Sequence, residues 1–340
     1  MLTEKLLPHS VSYVARQFTK IIPTTHSFSP TRVAMVPKDP AYLSFDFTYQ
    51  PHSSYQIEGV DRYYSNAKKS TILAHQYASS ALILPYKDHA PLPFQLQLNI
   101  SKALECSKDT RTDKKPKNEI YYPYKTPVER VIAHFEEAKK AGIDCIGVVV
   151  DAEFTSKDNL NALYSAKVNV IGRIKKTNLV EYEGKSLAIK DLAKLFPFTQ
   201  CCPYKEVGWR AKSVIVAISG LDQKQVKITI VWRKNKGEWI SFFLISTNIA
   251  TSTGEIIRAW KKRWQIEVLH RLYKQNFGLP SCQFKSYGAQ QHHANLVLEA
   301  YWLAREERGK EEGISWREAR RRAGEKLESE LLIGYLSKAA

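Results

Sequence analysis

"CIGVVVDAEF", residues 145–154, is a run of apolar residues that ends on an acid. A continuous rather than alternating apolar run is the pattern of a strand buried on both faces, as in the parallel part of an α/β sheet. Its flanks decide the reading. Before it, "PVERVIAHFEEAKKAG" (127–142) carries an amphipathic helical pattern, with Pro127 in the first turn and Gly142 at the end. After it, "SKDNLNALYSAK" (156–167) reads as a second helix capped by Ser156 or Asp158, and "VNVIGRIK" (168–175) as another strand. Helix, strand, helix, strand is the order of an α/β layer built around one sheet. Asp151 then stands at the end of a buried strand, beside the crevice where such sheets bind ligands. The plainer reading of an acid there is a loop cap.

Outward from this unit the elements continue. "AYLSFDFTYQ" (41–50) alternates with period two, which sends Leu43, Phe45, Phe47 and Tyr49 to a core face. Tyr42, Ser44, Asp46 and Thr48 fall on the other face. An Asp in mid-strand needs a reason, because strands are depleted in it. "STILAHQYASSALIL" (70–84) and "PLPFQLQLNI" (91–100) read as further strands, and 102–118 as a polar, Lys-rich mobile loop. Residues 178–247 break the rhythm with three strand-like runs, "KSVIVAISG", "QVKITIVWRK" and "EWISFFLIST", and turns at Gly220 and Lys236-Gly237. The tail is helical over about 253–277, 287–306 and 313–337. The expected organisation is a short N-terminal arm over 1–40, with a possible helix at "VSYVARQFTKII". A core over 41–177 follows, then a β-rich insertion over 178–247, the rest of the core over 248–306 and a helical tail over 307–340.

The chain has 340 residues, 44% of them apolar, enough for a sizeable core. With 51 basic and 34 acidic residues its formal charge is +17, which points to a polyanionic partner, nucleic acid first and an anionic membrane surface second. No apolar run approaches the roughly 18–20 residues of a spanning helix, and the start lacks a secretory pattern, so a cytoplasmic protein is expected. Five scattered cysteines without a C-x-x-C pair support neither a zinc site nor a disulfide framework. No P-loop or G-x-G-x-x-G occurs, so nucleotide hydrolysis has no support.

"AWKKRWQIEVLHRLYKQ" (259–275) holds a single acid, Glu267, among many bases. On one continuous helix at 100° per residue, Trp260, Arg263, Glu267, His270, Arg271 and Lys274 share a stripe. An i,i+4 pair with Arg263 is the ordinary explanation and contributes only a few tenths of a kcal/mol. It leaves His270, Arg271 and Lys274 unpaired, as on a helix lying along a phosphodiester backbone.

The spacing Trp260-x2-Arg263-x3-Glu267-x6-Lys274 resembles the Tyr-Arg-Glu-Lys signature of bacterial and archaeal DDE insertion-sequence transposases, with Trp in place of Tyr. "VVVDAEF" followed by "VNVIGRIKKT" is similar to that family's second Asp and the strand after it, and "LSFDFTYQ" to its first Asp region. The resemblance covers about residues 41–304. It implies a ribonuclease H-like mixed sheet flanked by helices, with a β-rich insertion between the second Asp and the Glu. It implies Asp46, Asp151 and Glu267 as catalytic and metal-ligating acids, and Trp260, Arg263, His270, Arg271 and Lys274 as DNA contacts. Two Mg²⁺ or Mn²⁺ ions suit an all-oxygen set of this kind. The implied reaction cuts phosphodiester bonds at transposon ends and joins the freed 3′-OH to target DNA by in-line transfer. The implied partners are double-stranded DNA and a second copy of the chain in a synaptic complex, in a prokaryotic cytoplasm. A DNA-binding descendant without catalysis is the competing expectation. A glycosidase with paired carboxylates would leave the cationic helix without a purpose. Trp209, Trp232 and Trp239 fill the insertion's core or stack on an unpaired base. Glu58, Asp61, Asp88 and Glu153 read as surface or supporting groups, and His292-His293 as surface or phosphate-facing.

Overall fold

Strand β1 (Ala41–Pro51) runs through the middle of the fold. In this computed structural model the described residues are 35–65, 68–102, 124–222 and 225–339, with side chains to 329. The candidate helix at 11–22 and most of the Lys-rich 102–118 loop lie outside them. On one side β1 pairs antiparallel with β3 (Ser70–Ile83), which also pairs β2 (Asp61–Ser65) and β4 (Leu92–Asn99). On its other side β1 pairs parallel with β5 (Cys145–Val150), and β5 parallel with β6 (Val170–Arg173). Helix α1 (Pro127–Lys140) precedes β5, and α2 (Lys157–Ser165) joins β5 to β6. These are the units expected from "CIGVVVDAEF" and its flanks. A capping box between Thr126 and Glu129 starts α1, and Ser156, not Asp158, caps α2.

Beyond β6 the same sheet continues. After a small hairpin, β7 (Leu179–Tyr182) and β8 (Lys185–Ala188), come β9 (Cys202–Tyr204), β10 (Trp209–Val216), β11 (Val226–Asn235) and β12 (Glu238–Ser246). The order along the sheet is β2-β3-β1-β5-β6-β12-β11-β10-β9, with β12 antiparallel to β6. The β-rich segment is thus a meander hydrogen-bonded to the edge of the core sheet. Trp209 packs on Phe242 and Trp232 on Phe198, while Trp239 is partly exposed beside Phe198. The chain closes with α3 (Thr253–Lys262), α4 (Gln265–Gln275), α5 (Tyr287–Lys310) and α6 (Trp316–Ala339). The architecture is the mixed, helix-flanked, ribonuclease H-like sheet that the resemblance implies.

Three details depart from the sequence expectations. Both faces of β1 are buried: Phe45 meets His134 of α1, while Tyr42, Ser44 and Thr48 on the opposite face are 3%, 0% and 3% exposed. The reason is the helical tail, which lies across that second face. Tyr42 donates to Glu255 of α3 at 2.6 Å, and Ile266, Leu269 and Tyr273 of α4 are fully buried. The stretch 253–275 is also two helices rather than one. At Arg263–Trp264 three-residue hydrogen bonds (Ile266 N–H to Arg263 O, Glu267 N–H to Trp264 O) tighten the backbone. The single wheel through Trp260 and Lys274 therefore does not hold. His292, read as a surface group, is buried at 6% exposure because it lies on the packed face of α5.

Candidate active site

Register brings the first two acids together. Ser44 of β1 stands opposite Val149 of β5 in parallel pairing. Asp46 and Asp151 each lie two residues further on, so they project from neighbouring strands at one height and on one face. Asp46 is anchored by the Phe47 N–H, which donates to its Oδ1 at 2.8 Å. Asp151 caps the turn Ala152–Phe154, accepting from the Ala152 N–H at 2.7 Å. The cap expected as the plain reading of Asp151 is present, and its second oxygen remains directed at the site.

Gly172 fixes that turn from beneath. A Cβ on it would meet Thr155 Cγ2 at 2.5 Å and the Val150 carbonyl at 3.2 Å. Thr155 needs this space, because its hydroxyl lies 2.6 Å from the Arg173 carbonyl and 3.1 Å from that of Ala152. The turn carrying Asp151 is thereby tied to β6.

The third acid arrives on α4, whose start is fastened to the β3–β4 loop. Lys262 Nζ donates to the Leu84 carbonyl at 3.0 Å and lies 3.1 Å from Asp88, and Gln265 donates to the His89 carbonyl at 3.2 Å. This anchoring sets the kink and turns Glu267 toward the sheet. Trp264, at the kink, is 57% exposed.

Arg263 sits among all three acids. Its guanidinium lies 3.7 Å from Asp46, 3.8 Å from Asp151 and 3.8 Å from Glu267, with only 10% of its side chain exposed. The ring of Trp260 lies 5.1 Å from its other side. These are charge contacts rather than hydrogen bonds, and Arg263 Nη1 has no hydrogen-bond partner among the described residues. Two cations, Arg263 and the half-buried Lys274 beside Glu267, thus face three carboxylates. Burial and the neighbouring Glu267 push the Asp46 carboxyl up to about 7, against the pull of Arg263. A surplus of negative charge in a partly enclosed pocket is what divalent cations relieve, and the donors are oxygens of the kind Mg²⁺ and Mn²⁺ take. The donor chemistry fits such a centre once the guanidinium moves aside. Among the described residues the donors within 4.8 Å of one another are those of Asp46, Glu267 and His270, and Asp151 is linked to them through Arg263.

The five residues read as DNA contacts separate. Arg271 is exposed, and Lys274 is half-buried, where burial lowers its ammonium against the pull of Glu267. Trp260 and Arg263 are built into the pocket. His270 is 6% exposed, and burial together with Lys274 and Arg263 pushes its imidazole down to about 3. His270 is an uncharged interior group, so the expectation of a cationic surface contact is corrected. It faces the acids because it lies one turn after Glu267 on the same side of α4. The Glu-x-x-His spacing was the signal in the sequence; the wheel put both residues on one stripe, and what it did not show is that this stripe is buried at His270. Among the acids read as supporting groups, Glu153 is pushed up by burial and by Asp151, and Glu58 accepts the Tyr287 N–H at the start of α5 at 2.7 Å.

Two family models match the chain: "DDE superfamily endonuclease" over residues 29–190 and "Transposase DDE domain" over residues 146–303. The first spans Asp46 and Asp151, the second Asp151 and Glu267. No curated protein matches the chain.

Proposed function

Because the chain belongs to the DDE superfamily of transposases and endonucleases, we propose that it is a DNA transposase whose centre is Asp46, Asp151 and Glu267. The reading includes the Tyr-Arg-Glu-Lys type of signature, with Trp260 as its aromatic. The observation that carries it is the sharing of one guanidinium by three acids from β1, the end of β5 and α4, at 3.7–3.8 Å.

Two divalent cations, bound by the three carboxylates, would activate an attacking oxygen and stabilise the leaving 3′ oxygen of an in-line displacement at phosphorus. The chain's own part is positional and electrostatic. Asp46 and Asp151, fixed by strand register and by backbone N–H groups, hold their outer oxygens at one level of the sheet. Asp46 gives up its proton as the site loads. Arg263, freed from the acids, turns to a non-bridging phosphate oxygen, a geometry its planar fork suits. Lys274, half-buried beside Glu267, holds a second phosphate. Arg271 and the exposed Trp264 face DNA, the one as a backbone contact and the other as a stacking surface. No side-chain nucleophile is needed, since water and then the freed 3′-OH attack in turn. The +17 charge serves duplex binding and makes it steeply salt-dependent. A second copy of the chain would hold the other end.

The test is cleavage of a supercoiled plasmid carrying the DNA that flanks the gene, in Mg²⁺ and in Mn²⁺. Strand breaks at the element boundary, absent with Asp46→Asn, support the reading. Duplex binding without cleavage in either metal overturns it in favour of a binding-only descendant. No helix among the described residues is long and apolar enough to cross a membrane.

A further inference from the structure

The three acids are not the whole donor set of this pocket. A ring nitrogen of His270 and one oxygen from each of Asp46 and Glu267 lie within 4.8 Å of one another. His270 is 6% exposed, and its Nε2 has no hydrogen-bond partner among the described residues. A buried ring nitrogen left without a partner is unfavourable unless something binds there. Among the described residues no polar side chain of α4, of β1 or of the kink before α4 fills that role: Lys274 and Arg263 face the ring as cations.

We propose that His270 is a ligand of the divalent ion shared by Asp46 and Glu267, so that the centre binds through nitrogen as well as oxygen. The proposal rests on the three-acid reading above and adds a donor to it. A Glu and a His three residues apart on an inward-facing helix turn is a pair that helices use to hold one metal ion between them. Glu267-Val268-Leu269-His270 is such a pair. Donors around a six-coordinate ion with bonds of about 2.1 Å stand roughly 3 Å apart when adjacent and about 4.2 Å when opposite. The observed spacing, within 4.8 Å, is close to those values.

A nitrogen donor has a consequence for metal choice. Imidazole favours the later first-row ions and adds little for Mg²⁺, which keeps oxygen ligands and water. The site should therefore hold Mn²⁺ or Co²⁺ more tightly than Mg²⁺, and His270 should account for much of the difference.

The experiment is pulsed electron paramagnetic resonance of Mn²⁺ bound to the full chain. Wild type should show coupling to a directly bonded ¹⁴N, and the signal should become that of ¹⁵N when only histidine is ¹⁵N-labelled. His270→Gln, which replaces nitrogen by oxygen, should still bind Mn²⁺, roughly tenfold more weakly, without nitrogen coupling. If His270→Gln fails to fold, the labelled wild type and His270→Asn carry the test. Wild-type Mn²⁺ without nitrogen coupling, but lost with Asp46→Asn, overturns the role of His270 and leaves the three-acid reading standing. Mn²⁺ bound equally well by Asp46→Asn overturns that reading first, and this proposal with it.

Discussion

Two clusters in this chain bring arginine and carboxylates together, and they behave oppositely. On α6 and the turn before it, Arg321 and Arg322 meet Glu318, Glu311 and Glu325. Arg321 reaches Glu318 at 2.7 Å, Arg322 reaches Glu318 at 2.9 Å and Glu311 at 2.5 Å, and all are open to solvent. Hydrogen bonds from the two arginines pull Glu318 down to about 2. In the pocket, Arg263 holds three acids at 3.7–3.8 Å, forms no close bond from Nη1, and Asp46 is pushed up to about 7. The surface cluster settles its charges locally. The interior one does not, and the charge left over is the mark of a site made for something else. Counting ion pairs would have ranked the two the wrong way round.

The largest expected effect separates the clusters by activity. Glu267→Gln should lower DNA cleavage by about 10³-fold or more, since it removes a metal-binding charge without changing shape. Glu318→Gln should leave the rate unchanged in the same plasmid assay. Equal rates for the two variants would erase the distinction.

Proton linkage comes next. Asp46 is raised, so the stability it lends the metal-free protein is present below the ordinary carboxylate range and is lost as pH rises through about 7. Metal must displace that proton. Mn²⁺ affinity measured by calorimetry should therefore rise by about tenfold per pH unit well below 7 and flatten above it, roughly 50-fold between pH 5 and 7. An affinity independent of pH would place the proton elsewhere.

Smaller effects concern stability. Arg263→Met should destabilise the metal-free protein by about 1–3 kcal/mol, a buried-pair loss reduced by the partial exposure of the acids. Added Mn²⁺ should restore much of it, because ion and guanidinium neutralise the same carboxylates. Arg321→Met should leave the melting temperature where it is. Thermal melts with and without Mn²⁺ check both variants. Gly172→Ala should lower the melting temperature and cost activity together, through the Thr155 contact that fixes the Asp151 turn.

Much of the frame was legible in the sequence because its signals are local. The apolar run 145–150 between two capped helices fixed the parallel unit, and period two in 41–50 marked β1. The placement of Asp46 beside Asp151 follows from strand register, which pattern does not supply. The kink at Arg263–Trp264 was hidden, since no Pro or Gly marks it and its cause is the distant anchoring of Lys262 and Gln265 to the β3–β4 loop. With the kink unseen, the cations near Glu267 read as one exposed stripe. Packing against the second face of β1 instead carried Arg263 and His270 inward and left Arg271 outside.

The central claim is that three acids converge to share divalent cations that the guanidinium of Arg263 now stands in for. Anomalous diffraction from Mn²⁺-soaked crystals tests it most directly. The account requires manganese density bounded by the carboxylates of Asp46, Asp151 and Glu267, with Arg263 swung clear. Manganese bound elsewhere, with Arg263 still seated among the three acids, would contradict it.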